Sequence, residues 1–388
     1  MSLTAEQRDL RDAVRDLIGK AEAGGTQGAA ARAAGTAWRR LCDEVGVAGL
    51  AIPSQYGGAG AGLAEVCVVM AELGRNLTPA PMLGSAVLAA RAVLGCGDPA
   101  ACERLLPAIA DGSAVAALAW TTPAGRWDAG EAACTARPAG HGPGGAGLGG
   151  TAWELAGEAH YVLDATAADV LLVVARSPDD GTGLFEVDPR GDGVTRRGVA
   201  AMDASRDLAV VGLAGARGRR VGGDAAGALA LARDWACVAL AAELAGAAER
   251  ALELTVEYLL ARVQFGQAIG GFQALQHRAA DLHVLVESAR SLARAVAAEV
   301  VAAEVVAAEQ AGDLAPRAAA AKVYCSEALT QVAGQMIQLH GAIGITWEHR
   351  AHRYFKRAHG GRYLLGRPDR HLAVIAASLI DGPAAGDS

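Results

Sequence analysis

Apolar residues recur at helical spacing from the start of the chain. Leu3, Leu10, Val14, Leu17 and Ile18 form one stripe, and the segments from Leu63 to Leu73 and from Ala86 to Leu94 form others. Between about residues 113 and 223 the character changes to short apolar runs, from Ala114 to Trp120, Val170 to Ala175 and Leu208 to Leu213, set off by Gly, Pro and Asp. Such runs predict the strands of an antiparallel β domain. Helical periodicity then returns and persists to about residue 380, with long helices predicted near 225–262, 272–311 and 315–340, enough for a four-helix bundle. The expected fold class is α+β and mainly α. It divides into an N-terminal helical domain (1–112), a middle antiparallel β domain (113–224) and a C-terminal helical bundle (225–388).

Composition sharpens this picture. With 52% apolar and only 4% aromatic residues, and Ala and Gly heavily used, the helices are expected to meet through small side chains. The net charge of −7 offers no basic field for phosphate backbones, so no nucleic-acid partner is expected. Seven scattered cysteines without a C-x-x-C pair argue against a disulfide framework or a thiolate zinc site. The N-terminal segment mixes charges with apolar residues at helical spacing and lacks the apolar core of a signal peptide. In the most apolar helix the uninterrupted runs stop at Asp234, Glu243 and Glu249, short of the roughly 20 residues a bilayer needs. A cytoplasmic protein with no membrane span is the expectation. Gly142, Gly144 and Gly147 satisfy G-x-G-x-x-G, but no strand precedes them and no helix follows, so no phosphate cradle is expected there. The late histidines include His349 and His352, three apart. The cations Arg350, Arg353, Lys356 and Arg357 crowd the same stretch, so a metal is not expected and the stretch reads as a subunit or phosphate contact.

Four segments resemble one family. Tyr258 to Leu282, YLLARVQFGQAIGGFQALQHRAADL, is similar to the R-x-x-F-G-x-x-I-x-x-F-Q signature of acyl-CoA dehydrogenases. Ile52 to Val66 is similar to that family's P-x-x-x-G-G loop, Gln338 to His349 to its Q-x-x-G-G-x-G segment, and Ala117 to Gly125 to its T-E-P-G turn. The resemblance implies FAD as cofactor, an acyl-CoA substrate, and an electron-transfer flavoprotein-type acceptor. It implies that Arg262 and Phe265 contact the flavin nucleotide across a subunit boundary, that Gln264, Phe272 and Gln273 add further contacts, that Gln338, Leu339 and Gly341 of a neighbouring chain meet its adenosine end, and that Trp120 and Thr121 lie on the flavin side of the β domain. A site built across chains implies a homotetramer or a heterotetramer with a related subunit. Arg262 alone also reads as a helix C-terminal cation, and Phe265, Phe272 and Trp347 as core aromatics, the reading preferred for Trp347. Gly57 and Gly58 read as a tight turn after Pro53.

The resemblance breaks at the catalytic base. Removal of the α-proton of a thioester needs a carboxylate. The triplet that carries it in most of the family aligns with Leu365-Gly366-Arg367, and the alternative position used by some relatives aligns with Ala236. Glu243, seven residues beyond Ala236 and on the same helix face, is the candidate base; the competing reading makes it an ion-pair partner of an arginine on a neighbouring helix. Asp234 is a second candidate, expected to be solvated. Thr122, Trp127, Tyr161 and Ala342 also depart from the family pattern. Together with the tail GITWEHRAHRYFKRA, the missing base resembles an actinobacterial branch whose two different subunits form α2β2 enzymes for bulky acyl-CoAs such as steroid side chains. The expected activity is α,β-dehydrogenation of an acyl-CoA. The alternatives are a non-catalytic subunit that completes a partner's FAD site, and a flavoenzyme of the same fold acting on a carrier-protein-bound acyl chain.

Overall fold

A computed structural model describes residues 3–23, 30–128, 131–139, 152–178, 181–306 and 314–380. The G-x-G-x-x-G glycines and the end of the helix expected to reach residue 311 lie outside the described residues. The helices are α1 (Ala5–Ala23), α2 (Ala30–Val45), α3 (Leu63–Asn76), α4 (Ala90–Gly95), α5 (Pro99–Ala110), α6 (Ala226–Ala261), α7 (Gln273–Val306), α8 (Leu314–His340), α9 (Ala351–Tyr363) and α10 (Pro368–Ile380). The strands are β1 (Ala116–Ala119), β2 (Cys134–Pro138), β3 (Ala152–Leu163), β4 (Val170–Ser177), β5 (Gly181–Val187), β6 (Val194–Gly198), β7 (Leu208–Val221), β8 (Val263–Gln264) and β9 (Gln267–Ala268). Helices, then a small β domain, then long helices is the order expected from the periodicity. No described helix is long and apolar enough to cross a membrane.

The chain forms two compact units that cut across the three-domain division read from sequence, a division we retain as a proposal. One unit joins residues 1–18 and 63–78 to residues 237–388, so α1 and α3 belong with the C-terminal helices. Small residues explain how they fit. A Cβ on Gly74 would lie 2.0 Å from the carbonyl oxygen of Glu243, and one on Gly246 would lie 2.1 Å from that of Ala71. The backbones of α3 and α6 therefore touch at two reciprocal glycines, the close approach that the Ala- and Gly-rich composition suggests.

The other unit comprises residues 19–62 and 79–236 and holds the β domain. Its pairings β4–β2–β3–β7–β5–β4 close on themselves as a barrel, with β1 paired to β4 and β6 to β7. Closure leaves the barrel strands no free edge. Leu155, Phe185, Val173 and Val211 fill its interior. The sheet is mixed rather than purely antiparallel, because β1 and β2 both run parallel to β4. Alternation along a strand sets which face is buried but not the direction of its neighbour, so the sequence pattern does not carry this. After Pro53 a short 3₁₀ turn leads into Gly57 at φ 84°, and a Cβ on Gly58 would overlap the Ile52 carbonyl at 2.0 Å, as a tight turn there requires. The residues from Met82 to Ala89, whose spacing suggests ordinary helix, are a fully buried π-helical stretch.

Candidate functional site

The R-x-x-F-G segment folds as a two-residue hairpin. Val263 and Gln264 of β8 pair with Ala268 and Gln267 of β9, and Phe265 and Gly266 form the tip with φ 54° and 81°. Two successive positive φ values define the type I′ turn that suits a tight hairpin. Glycine adopts this backbone freely, whereas phenylalanine there is strained. Burial does not compensate the strain, since Phe265 is 90% exposed. Arg262, at the base of the hairpin, is exposed and has no hydrogen-bonding or ionic partner for its guanidinium among the described residues. The Gln264 side chain donates to the carbonyl of Val263 at 3.0 Å. Phe272 lies edge-on to Phe265 with ring centroids 6.1 Å apart, and Gln273 is exposed as α7 begins.

The Gln338 segment ends α8. Gln338 and Gly341 are exposed, Leu339 is buried, and Gly341 has φ 64°. His340 stacks on Tyr258 of α6 at 4.4 Å, which sets the end of α8 beside the helix that leads into the hairpin. His349 lies 4.4 Å from His340, and neither ring nitrogen of His352 has a hydrogen-bond partner among the described residues. Burial holds His340 below the usual histidine range; His349 is lowered by burial and then by its histidine neighbours. Trp347, expected from sequence to be a core residue, is 77% exposed and lies beneath the Lys356 ammonium at 4.3 Å.

In the other unit, the segment after β1 is tied to the end of β3. The Thr121 hydroxyl donates to the His160 carbonyl, and the His160 amide donates back to the Thr121 carbonyl at 2.8 Å. The Trp120 indole is fully buried, donates to the Asp128 carbonyl at 3.2 Å, and meets Trp127 edge-on at 5.6 Å. Tyr161, strained at φ 54°, donates its hydroxyl to the Pro123 carbonyl at 3.3 Å. Three of the positions that depart from the family pattern, Thr122, Trp127 and Tyr161, thus surround one turn.

At the base positions the structure offers hydrocarbon. Leu365 is fully buried with φ 61°, its carbonyl within 3.1 Å of the His371 Nε2, and Ala236 is fully buried within α6. Glu243 forms an ion pair with Arg357 of α9, with side chains only 4% and 2% exposed. Arg357 is therefore not part of an exposed subunit or phosphate contact, as the basic run suggested. Its burial is visible in spacing: Ala351, Tyr354, Ala358 and Gly361 form the buried stripe of α9, and Arg357 falls within it. Asp234 is likewise buried rather than solvated and pairs with Arg233 at 2.9 Å. The sequence gives no sign of a second buried group. Buried Arg75 joins Glu249 at 2.6 Å and Glu253 at 2.7 Å, while Arg15 grips Glu72 through two contacts of 2.8 Å.

Long packed helices and a closed β barrel, with the hairpin motif leading into α7, fit the acyl-CoA dehydrogenase class, and family comparison shows it. The C-terminal domain of the acyl-CoA dehydrogenases matches residues 228–380 and the N-terminal domain matches residues 4–113. The acyl-CoA dehydrogenase IpdE2 of Mycobacterium tuberculosis is 36% identical over 99% of this chain and 100% of its own length. The chain belongs to the acyl-CoA dehydrogenase family and is an oxidoreductase of that type. Among solved structures, a Tcur3481–Tcur3483 steroid ACAD variant aligns with TM-score 0.81 and 30% identity, covering 97% of this chain and 98% of its own. The ChsE4–ChsE5 complex from Mycobacterium tuberculosis aligns with TM-score 0.82 and 27% identity, covering 99% of each chain.

Proposed function

We propose that this chain is an FAD-dependent subunit for α,β-dehydrogenation of a bulky acyl-CoA thioester, working in a heteromeric assembly with a related chain. The observation that carries the reading is the hairpin tip. Phe265 is held in a strained backbone and left 90% exposed beside an unpaired Arg262, so neither local preference nor packing within the chain accounts for it. A bound nucleotide accounts for both. Arg262 supplies a fixed cation to a pyrophosphate, Gln264 and Gln273 supply carboxamide donors, and Phe265 and Phe272 supply ring faces. Gln338, Leu339 and Gly341 serve the adenosine end, and Trp120 and Thr121 shape the flavin side of the β domain. Bound FAD supplies the acceptor for the hydride that leaves Cβ. An electron-transfer flavoprotein-type acceptor in the cytoplasm would take the electrons from it.

The residues of this chain must also provide for the α-proton. Leu365 and Ala236 cannot accept it. Glu243 is the base candidate the chain offers, and the proton would go to its carboxylate. Its pairing with buried Arg357 favours a second reading, in which the related subunit supplies the base and this chain completes that subunit's flavin site. The similarity to a steroid ACAD of paired Tcur3481–Tcur3483 chains and to the ChsE4–ChsE5 complex supports a bulky acyl group and a heteromeric assembly.

The flavin-to-chain ratio, read from visible absorption, tests the assembly. We expect substoichiometric flavin when the chain is purified alone and a full complement when it is co-expressed with a related subunit. A full equivalent in the chain alone would refute the heteromeric reading. Arg262→Ala is expected to lower flavin content in either preparation, and unchanged content would refute the assigned cation.

A further inference from the structure

In the unit that holds α1, α3, α6 and α7, these four helices line a partly open cavity of about 200 Å³. None of the residues assigned above to flavin or to the α-proton lines it. Its floor is apolar, with Ala64, Cys67, Val68, Ala245, Ala293 and Ala297. Its rim is charged, and two of its cations, Arg11 and Arg290, are also held by carboxylates outside the lining, Asp12 and Glu287. Five guanidinium groups, of Arg11, Arg15, Arg75, Arg290 and Arg294, face three carboxylates, of Glu72, Glu249 and Glu253.

Each carboxylate is already engaged. Glu72 is held by Arg15, and Glu249 is shared by Arg75 at 2.6 Å and Arg290 at 2.9 Å. Glu253 is shared by Arg75 at 2.7 Å and Arg250 at 2.9 Å. Arg11 turns to Asp12 at 2.8 Å. Arg294 is left over, with no hydrogen bond or ion pair among the described residues. Burial, and then the charge of Arg290, push its guanidinium below the ordinary arginine value. A half-buried cation beside like charge, opening on a cavity, calls for an anion from outside the chain.

We propose that this cavity binds a small carboxylate with a short apolar tail, its carboxylate on Arg294 and its tail on the alanine-lined floor. One free guanidinium suits a monoanion, and its planar fork matches a carboxylate through two parallel hydrogen bonds. The apolar floor favours a tailed carboxylate over inorganic phosphate, whose oxygens would meet no donors there. At about 200 Å³ the space is smaller than a drug-sized pocket, which limits the ligand to a few heavy atoms.

The test is calorimetric titration of the intact assembly with isobutyrate and, separately, with inorganic phosphate, at ionic strength held constant with chloride. We expect saturable isobutyrate binding that weakens about tenfold or more in Arg294→Gln, from the loss of one charge-assisted bidentate contact. Arg294→Lys should keep part of the affinity, and Arg262→Ala all of it, which separates this site from the nucleotide site. Without added anion, Arg294→Gln should melt no lower than the parent protein, because it removes unrelieved repulsion. A purely structural arginine would instead lower the midpoint. Absence of saturable binding, equal isobutyrate affinity in Arg294→Gln, or phosphate binding as tight as isobutyrate would each overturn the proposal.

Discussion

Arg357→Leu removes the cation from a pair whose two side chains are 2% and 4% exposed, taking from the buried Glu243 its ion-pair partner. Breaking a buried pair from one side costs about 3–5 kcal/mol, whereas replacing both partners by hydrocarbon is often close to neutral. At roughly 2–4 °C per kcal/mol for a domain-sized unit, the single variant should lose about 6–20 °C in melting midpoint. Glu243→Leu combined with Arg357→Leu should recover most of that loss, and the double-mutant cycle should return a large coupling energy. Thermal melts of the four proteins of this cycle and of Glu243→Gln, alongside substrate-dependent bleaching of the flavin, decide between the two roles of Glu243. If Glu243→Gln destabilises the protein but bleaching in a co-assembled preparation proceeds at the parental rate, the carboxylate is a structural partner and the proton goes elsewhere. If it melts like the parent and bleaching is lost, the structural reasoning fails and Glu243 is the base.

The glycine contact between α3 and α6 predicts that Gly246→Ala, which would place a methyl 2.1 Å from the Ala71 carbonyl, destabilises by about 1–3 kcal/mol, measurable by urea titration. A parental urea midpoint would show that the helices separate without cost. The histidines give a pH dependence. His340 and His349 are held below the ordinary value of about 6.5, so the unfolded chain binds more protons than the folded one as pH falls below that value. Stability is therefore complete above about pH 6.5 and declines as pH falls toward the lowered folded-state values. His349→Gln should flatten the fall of the melting midpoint between pH 7 and pH 5.5, and an unaltered slope would assign the fall to other groups.

The parts of this molecule that periodicity describes are legible in its sequence. The long helices α6, α7 and α8 and the β region between the helical parts fall where apolar spacing places them. The hairpin motif is legible too, because R-x-x-F-G names a turn chemistry in which Gly266 is required by its φ of 81°. Direction and partner choice are not. Nothing in the alternation of β1 or β2 distinguishes a parallel neighbour from an antiparallel one, and the π-helical stretch from Met82 to Ala89 has the same apolar content as an ordinary buried helix. Charged residues mislead when they are grouped with their neighbours along the chain rather than by helical face. Arg357 belongs to an exposed basic run by the first criterion and to the buried stripe of Ala351, Tyr354, Ala358 and Gly361 by the second. Arg75 gives no such cue, because its burial depends on carboxylates far away in sequence, Glu249 and Glu253.

The placement of these buried charges bears on what kind of subunit this is. A chain that lost its base by chance would be expected to leave a polar gap where the carboxylate had been, because surrounding groups selected to support a charge persist after it goes. Here the position is sealed: Leu365 is fully buried, and the His371 ring nitrogen lies within hydrogen-bonding distance of its carbonyl. Meanwhile Glu243, two helical turns from the alternative position, is engaged by Arg357, and the backbone of its own helix turn is wedged against Gly74. Leu365 and Ala236 each present buried hydrocarbon, and Glu243 is held in an ion pair. The hairpin tip, by contrast, keeps the strain of Phe265, which is 90% exposed, and a guanidinium of Arg262 that has no partner among the described residues. The nucleotide contacts proposed for the hairpin, together with a closed base position, would suit a subunit that holds part of a cofactor for a partner that carries out the proton transfer.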